Sequence, residues 1–161
     1  MRRKDRAVTD QEEILKIISK SDICRLAMVD EGKPYMIPLN FGYAMHEDEL
    51  TLVFHSARVG RKIDAMHLNP DVCFEMDCEH ALIEAEEGCD FSFAFSSIIG
   101  FGKVEFIFRY EEKLNALRLL MKHQTGRDDF HFSPKQVDNV TLYKIVTKNY
   151  SAKRKPGQPE L

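Results

Sequence analysis

The chain has 161 residues, of which 43% are hydrophobic, so it can build one ordinary hydrophobic core and is predicted to be a single domain. Its net charge of −3 argues against a protein that binds nucleic acid through a broad basic face. No apolar stretch is long enough to span a membrane, and no apolar segment follows the basic residues near the start, so a cytoplasmic protein is expected.

The hydrophobic pattern predicts a mainly β protein with helices. Alternating apolar residues predict six strands, and spacings of three and four residues predict three helices. In chain order these are a helix over 10–20, strands over 23–29, 35–45 and 50–55, a helix over 59–68, strands over 72–76 and 91–108, a helix over 114–126 and a last strand over 139–146. Thr9 and Glu12 fit a capping box for the first helix. Residues 1–8 and 154–161 are expected to be disordered tails around a domain at 9–153.

The second predicted strand has one regular face and one unusual face. Tyr35, Ile37 and Leu39 alternate as expected for a face that packs on a core. The other face carries Pro34 and Pro38, and a central strand cannot lose two hydrogen-bond donors to proline. The strand is therefore expected at an edge, a bulge or a rim, where its backbone can meet a ligand.

The junction between the third strand and the second helix has the composition of a phosphate site. His55 and Ser56 end the strand, and Arg61 and Lys62 start the helix. A helix start offers unpaired N–H groups and the positive end of the peptide dipole, and two cations and a hydroxyl suit one phosphate. The alternative is an ordinary turn with solvated charges. His55 alternates with Phe54 and Leu52, so its side chain is expected to point away from the face that they bury.

The segment 91–108 alternates between a large and a small face. The large face carries Phe91, Phe93, Phe95, Ser97, Ile99 and Phe101, and the small face carries Ser92, Ala94, Ser96, Ile98, Gly100 and Gly102. Small residues allow close approach of a ligand or of a second backbone, so the small face is expected at a cofactor cleft. For the glycines, a bulge at a barrel corner is the alternative.

The four cysteines do not predict a disulfide or a metal site. No C-x-x-C motif occurs, and two of the cysteines fall inside apolar strands, where reduced thiols act as small hydrophobes. Zinc bound by Cys78, Glu79, His80 and Cys89 is the alternative. Because structural zinc sites prefer tightly paired ligands and this run resembles an acidic solvated loop, no metal is predicted.

Three blocks carry a resemblance to a known family: Y-M-I-P-L-N-F-G-Y at 35–43, F-H-S-A-R-V-G-R-K-I-D-A-M at 54–66 and S-S-I-I-G-F-G-K-V at 96–104. In this order they resemble the pyridoxamine 5'-phosphate oxidase-like flavoproteins, and within them the nitroimidazole-resistance group. The resemblance covers residues 14–153 and implies a six-stranded antiparallel split β-barrel of the FMN-binding type. It also implies a homodimer with FMN in two clefts between the subunits. The candidate cofactor-binding residues are Pro38, Leu39, Asn40, His55, Ser56, Arg61, Lys62, Ser96 and Ser97.

The resemblance implies an FMN-dependent oxidoreductase that takes electrons from NAD(P)H and reduces small acceptors, as a nitroimidazole reductase would. A Rossmann-type nicotinamide fingerprint is absent, which fits a donor that visits an open flavin face. His55 is the candidate catalytic residue, because a histidine occupies this place beside the flavin in the family.

Three alternatives to this function stay open. FAD could replace FMN, and a non-catalytic flavin- or haem-binding protein could share the fold. Oxidation of pyridoxamine phosphate is disfavoured, because the basic substrate-phosphate cluster of that enzyme is not evident in residues 150–161.

Overall fold

The computed structural model describes residues 3–157. Within this range the chain forms nine strands and four α-helices. The strands are β1 (Ala7–Val8), β2 (Cys24–Asp30), β3 (Lys33–Leu39), β4 (Gly42–His46), β5 (Glu49–Ser56), β6 (Asp71–Ile83), β7 (Ser92–Ile107), β8 (Thr141–Thr147) and β9 (Tyr150–Lys155). The helices are α1 (Gln11–Lys20), α2 (Arg61–Leu68), α3 (Tyr110–Thr125) and α4 (Pro134–Asp138). None of these helices is long and apolar enough to cross a membrane.

All strand pairs are antiparallel, and they form one sheet with the order β3-β2-β6-β7-β8-β5-β4. β9 pairs with β7 and with β1 beside this path. The prediction of a mainly β antiparallel fold with helices is confirmed. The predicted number of six strands is wrong for the described residues: nine strands form, and the hydrogen-bonded path stays open between β3 and β4.

One source of the extra strands is the predicted strand 35–45, which divides into β3 and β4. Asn40 donates from Nδ2 to Oε1 of Gln124 at 2.8 Å, and the carbonyl of the fully buried Phe41 accepts from His123 at 2.8 Å. At Gly42, a Cβ would lie 2.4 Å from a backbone nitrogen of α3. The contact with α3 therefore turns the chain away from β2 and into a new pairing with β5.

The other two extra strands lie at the ends of the chain. Ala7 pairs with Lys153, and residues 95–100 of β7 pair with β9. Strand β1 thus begins at residue 7 and strand β9 ends at residue 155; residues 1, 2 and 158–161 of the predicted tails lie outside the described residues. α1 is capped by Asp10, which accepts from the Glu13 amide at 3.0 Å, and not by the predicted box of Thr9 and Glu12.

The core lies between the inner face of the sheet and α1. Its largest fully buried side chains include Phe41, Phe54, Phe74, Tyr143 and Ile98. A second, smaller cluster lies under α3 and α4 on the other side of β5 and β8. The prediction that the strand with two prolines lies at an edge is confirmed, because β3 pairs only with β2.

The two faces of β7 are the reverse of the prediction. The small residues Ala94, Ser96 and Ile98 are buried, whereas Phe93 and Phe101 are each 53% exposed. The glycines make room inside the core and not for a ligand, because a Cβ at Gly100 would lie 2.3 Å from the ring of Phe74, and Gly102 faces Ile145. The bulge alternative is also wrong at the glycines, since the register shift lies in β6 between Cys78 and Ala81.

Candidate functional site

The candidate site lies where β5 ends and α2 begins. Gly60 is the N-cap of α2 with φ of +145°, a conformation that L side chains rarely adopt, and no side chain caps the helix. The first intrahelical bonds join the amides of Ile63 and Asp64 to the Gly60 carbonyl, at 2.8 and 3.1 Å. The amides of residues 61 and 62 precede these bonds, so they lie at the positive end of the helix dipole.

Ser56 brings a buried hydroxyl to this junction. The residue is 6% exposed, and its Oγ has no hydrogen-bond partner among the described residues. Within residues 3–157 only the hydroxyl of Tyr143 shares this property. A buried polar group without a partner costs about 1–3 kcal/mol, and most such groups in proteins are paired. The Ser56 hydroxyl is therefore a group that a ligand could satisfy.

His55 lies next to Ser56 in β5 but on the opposite face of the strand, and Lys62 acts on it electrostatically. His55 is exposed on the outer face of β5, whereas Leu52 and Phe54 are fully buried, which confirms the predicted orientation. Burial first, and the charge of Lys62 second, lower the pKa of His55 below its ordinary value. The imidazole is therefore mostly neutral at neutral pH. No salt bridge is found for Lys62 within the described residues.

Arg61, the first residue of α2, faces a different part of the molecule. Its Nε donates to Oδ2 of Asp30 at 2.6 Å, and its guanidinium lies over the ring of Tyr35 at 4.3 Å. Asp30 ends β2 and Tyr35 lies on β3. The two cations that the sequence places side by side therefore point to different surroundings, one to the β2–β3 hairpin and one to His55.

The other predicted contacts do not join this cluster within one chain. Pro38 and Leu39 lie on the edge strand β3, and Asn40 is bonded to α3. Ser96 is fully buried, donates to Glu79 and accepts from Arg154 at 2.9 Å, so its hydroxyl already serves a structural network.

Ser97 and His55 lie on strands that do not pair directly. β8 joins His55 to β7 through Leu142, which pairs with Ile107. The ten residues of β7 from Ser97 to Ile107 span about 33 Å of strand. The predicted set therefore falls into two groups, one at the α2 junction and one on the half of the sheet formed by β2, β3, β6 and β9.

Sequence reasoning missed a charged group on the outer face of that second half. Arg25 donates from Nη1 to Glu75 at 2.9 Å and to Asp77 at 2.7 Å, and His80 Nε2 lies 3.1 Å from Asp77. Burial raises the pKa of Glu75 even though Arg25 lies beside it. The alternating acidic residues of β6 were a signal for a charged face. The arginine that they bind could not be predicted, because β2, which carries it, pairs with β6 from far away in the sequence.

No metal site emerges from the described part of the chain. Residues 3–157 contain no group of three His, Cys, Asp or Glu side chains placed to hold a metal ion. Cys78, one of the residues weighed for zinc, is buried and its Sγ contacts the carbonyl oxygen of Ile17 at 3.7 Å. Burial raises the pKa of this thiol, so it stays protonated.

Comparisons with known proteins agree on one family. Residues 10–154 match the family model described as pyridoxamine 5'-phosphate oxidase. A crystal structure of a proposed 5-nitroimidazole antibiotic resistance protein from Bacteroides thetaiotaomicron is 36% identical, with a TM-score of 0.80, over 92% of this chain and 86% of that one. Among curated proteins, no significant sequence match is found.

Two further solved structures share the fold at lower identity. A FAD- and haem-binding protein from Mycobacterium smegmatis is 19% identical, with a TM-score of 0.80, over 97% of this chain and 76% of that one. The flavocytochrome Anf3 from Azotobacter vinelandii is 20% identical, also with a TM-score of 0.80, over all of this chain and 74% of that one.

Replacing Lys62 with Met should raise the pKa of His55, because the charge of Lys62 is one of the two causes that lower it. The pKa should stay below its ordinary value, since burial is the larger cause and is unchanged. An NMR titration of the imidazole measures this directly. Lys103→Met, which removes an exposed lysine that pairs with Asp71, is the matched control and should leave the pKa of His55 in place; an unchanged value in Lys62→Met would show that Lys62 does not act on this imidazole.

Proposed function

Because the chain belongs to the pyridoxamine 5'-phosphate oxidase family, we propose that it binds FMN and uses it to reduce small acceptors with electrons from NAD(P)H. The observation that carries this proposal is the α2 junction, where a buried unpaired hydroxyl, a cation without a salt bridge and an uncapped helix start occur together. Each of these three features favours an anion with several acceptor oxygens.

The phosphate of FMN fits the groups of this junction. In this proposal the Ser56 hydroxyl and the amides at the start of α2 donate hydrogen bonds, and Lys62 supplies a positive charge. No carboxylate forms an ion pair with Lys62 in the described part of the chain, so its charge is free to act on a ligand. A bound FMN would satisfy the hydroxyl that the protein alone leaves unpaired.

The isoalloxazine ring supplies reversible electron transfer when it is bound, and the protein orients it. We propose that His55, exposed next to Lys62, contacts this ring. Since its pKa is lowered, the imidazole offers one N–H donor and one acceptor nitrogen at neutral pH and does not carry a second proton. This favours hydrogen bonding to the ring or to an acceptor over a role as a proton reservoir.

The proposed acceptors are small nitro-aromatic compounds of the nitroimidazole type. The support is a sequence identity of 36%, over most of both chains, to a protein described as a proposed nitroimidazole antibiotic resistance protein. Non-catalytic binding of flavin or haem is the alternative function, which the first experiment below separates from reduction.

We further propose that the protein acts as a homodimer with the flavin between the subunits. The outer face of β6 and β7 exposes Leu82, Phe93, Ile99 and Phe101, each between 44% and 54% accessible. Phe93 pairs with Leu82 across the two strands, and Ile99 and Phe101 follow on the same face of β7, so these side chains offer apolar surface to a second copy. A second copy would also bring a second set of sheet residues, including Ser97, toward the α2 junction, which one chain does not do.

The purified protein should show the two absorbance bands of an oxidised flavin, and anaerobic addition of NADH should bleach them. Subsequent addition of a nitroimidazole should restore the bands, because the acceptor removes the electrons. Flavin bands that NADH does not bleach would favour a binding protein without turnover. A single intense haem band would contradict the flavin proposal.

Lys62→Ala should weaken FMN binding but not riboflavin binding, because riboflavin has no phosphate. One charge-assisted hydrogen bond is worth about 1.5–3 kcal/mol, so FMN affinity should fall about tenfold to a hundredfold. Titration calorimetry with both ligands measures the ratio. Lys103→Ala, which removes an exposed lysine that pairs with Asp71 at 2.8 Å, is the control and should change neither affinity. Equal affinities in Lys62→Ala and wild type would exclude this phosphate site.

Sedimentation at micromolar concentration should find a dimer, and Phe101→Glu should give a monomer that loses its flavin. A charge placed in an apolar interface is desolvated without a partner, which strongly disfavours association. Phe108→Glu, an exposed position beyond the end of β7, should stay dimeric. A monomeric wild type that retains flavin would contradict a cofactor shared between two chains.

A further inference from the structure

We propose that Arg61 is a positioning residue and not a phosphate ligand: together with Asp30 it fixes the first turn of α2 on the β2–β3 hairpin. This inference rests on the proposed flavin phosphate site, and it assigns Lys62 to the phosphate and Arg61 to the β2–β3 hairpin. It separates two adjacent cations, Arg61 and Lys62, that the sequence presents as equivalent.

The first reason is the contact between Arg61 and Asp30. The carboxylate of Asp30 has a side-chain exposure of only 14%, and Arg61 is its one ion-pair partner among the described residues. If Arg61 turned toward a phosphate, this mostly enclosed carboxylate would lose its hydrogen bond of 2.6 Å to Arg61. Leaving a buried charge unpaired is costly, so the guanidinium is held where it is.

The second reason is the contact between Arg61 and the ring of Tyr35. The guanidinium lies flat over Tyr35 at 4.3 Å, an arrangement that adds a cation–π contact to the ion pair. Two contacts on one planar group fix its direction toward the hairpin.

The third reason is the local charge. Arg61 lines a surface cleft with Asp30, Glu31, Asp64 and Leu68, so three carboxylates surround the one guanidinium. A phosphate that approached this cleft would meet a net negative field. Lys62, in contrast, acts on His55, and no carboxylate forms an ion pair with it within residues 3–157. An anion therefore finds its favourable side of α2 at Lys62 and Ser56.

What the pair positions follows from where Arg61 lies. It is the first residue of α2, directly after the N-cap Gly60 and two residues before the first amide that bonds to Gly60. No side chain caps this helix, so its start depends on contacts made by the neighbouring residues. The pair therefore helps to set where the open amides and Lys62 stand, together with the core packing of Ile63 and Met66.

Asp30→Asn provides the test, because positioning and simple electrostatics predict opposite signs. Removing a negative charge near a phosphate site should tighten FMN binding if only charge mattered. If Asp30 positions α2, the same change should weaken FMN binding about fivefold or more, and riboflavin binding should change less than about twofold. Asp64→Asn is the matched control: it removes a carboxylate from the same cleft without breaking the pair, so it should leave FMN binding unchanged or slightly tighter.

Arg61→Gln and the double variant complete the cycle. Arg61→Gln should weaken FMN binding as much as Asp30→Asn does, and the double variant should be no weaker than either single variant, because both remove one contact. Loss of FMN affinity in Arg61→Gln alone, with Asp30→Asn at or above wild-type affinity, would overturn the proposal and make Arg61 a ligand. Lowered thermal stability with an unchanged ratio of FMN to riboflavin affinity would also overturn it, since the pair would then be merely structural.

A second readout does not depend on flavin. Hydrogen exchange of the Ile63 and Asp64 amides, which bond to Gly60, should accelerate about fivefold or more in Asp30→Asn and not in Asp64→Asn. Unchanged exchange would overturn the positioning role even if flavin binds. If the wild-type protein binds no flavin but exchange still accelerates, the proposed function fails and the positioning of α2 stands.

Discussion

The structure depends on one long strand that serves two halves of a sheet. β7 pairs with β6 and β9 along its first part and with β8 along its last four residues, and within residues 3–157 no other strand bridges these halves on the main path of the sheet. The bridge is possible because glycine at positions 100 and 102 lets Phe74 and Ile145 pack against the strand. The same strand therefore sets both the core and the relative placement of the halves.

In this architecture the α2 junction lies at a contact between the two halves of the sheet. Among the described residues β4 is the end of the sheet, so β5 reaches the rest of it through β8, while the β2–β3 hairpin belongs to the other half. The ion pair between Arg61 and Asp30 joins those halves directly at the proposed site. The distance between α2 and β3 is thus governed by a surface contact as well as by the backbone ladder.

The sequence predicted the parts that local periodicity encodes. The strand–helix junction, the outward direction of His55 and the edge position of β3 all follow from alternation and from proline, and they are confirmed. The division at Asn40 and Phe41 was not predictable, because its cause is a contact with α3 more than eighty residues away.

The two faces of β7 show a different limit of sequence reasoning. Alternation identifies two faces of a strand but not which one lies in the core, and the face of β7 predicted at a cofactor cleft lies in the core. Residue size does not decide the matter either, since the phenylalanines of the other face are half-exposed and Ser96 is buried with hydrogen bonds. The partner of Arg61 was equally out of reach, because Asp30 lies thirty-one positions earlier in the chain.

The unpaired hydroxyl of Ser56 has a consequence for the life of the protein in a cell. If the proposed flavin phosphate binds this hydroxyl, the protein gives up stability when empty and regains it when filled. The empty chain then opens more often and is the better substrate for proteases, so its abundance follows the supply of the molecule that completes it. Under the proposed function, a single serine would then link turnover of the protein to the supply of flavin.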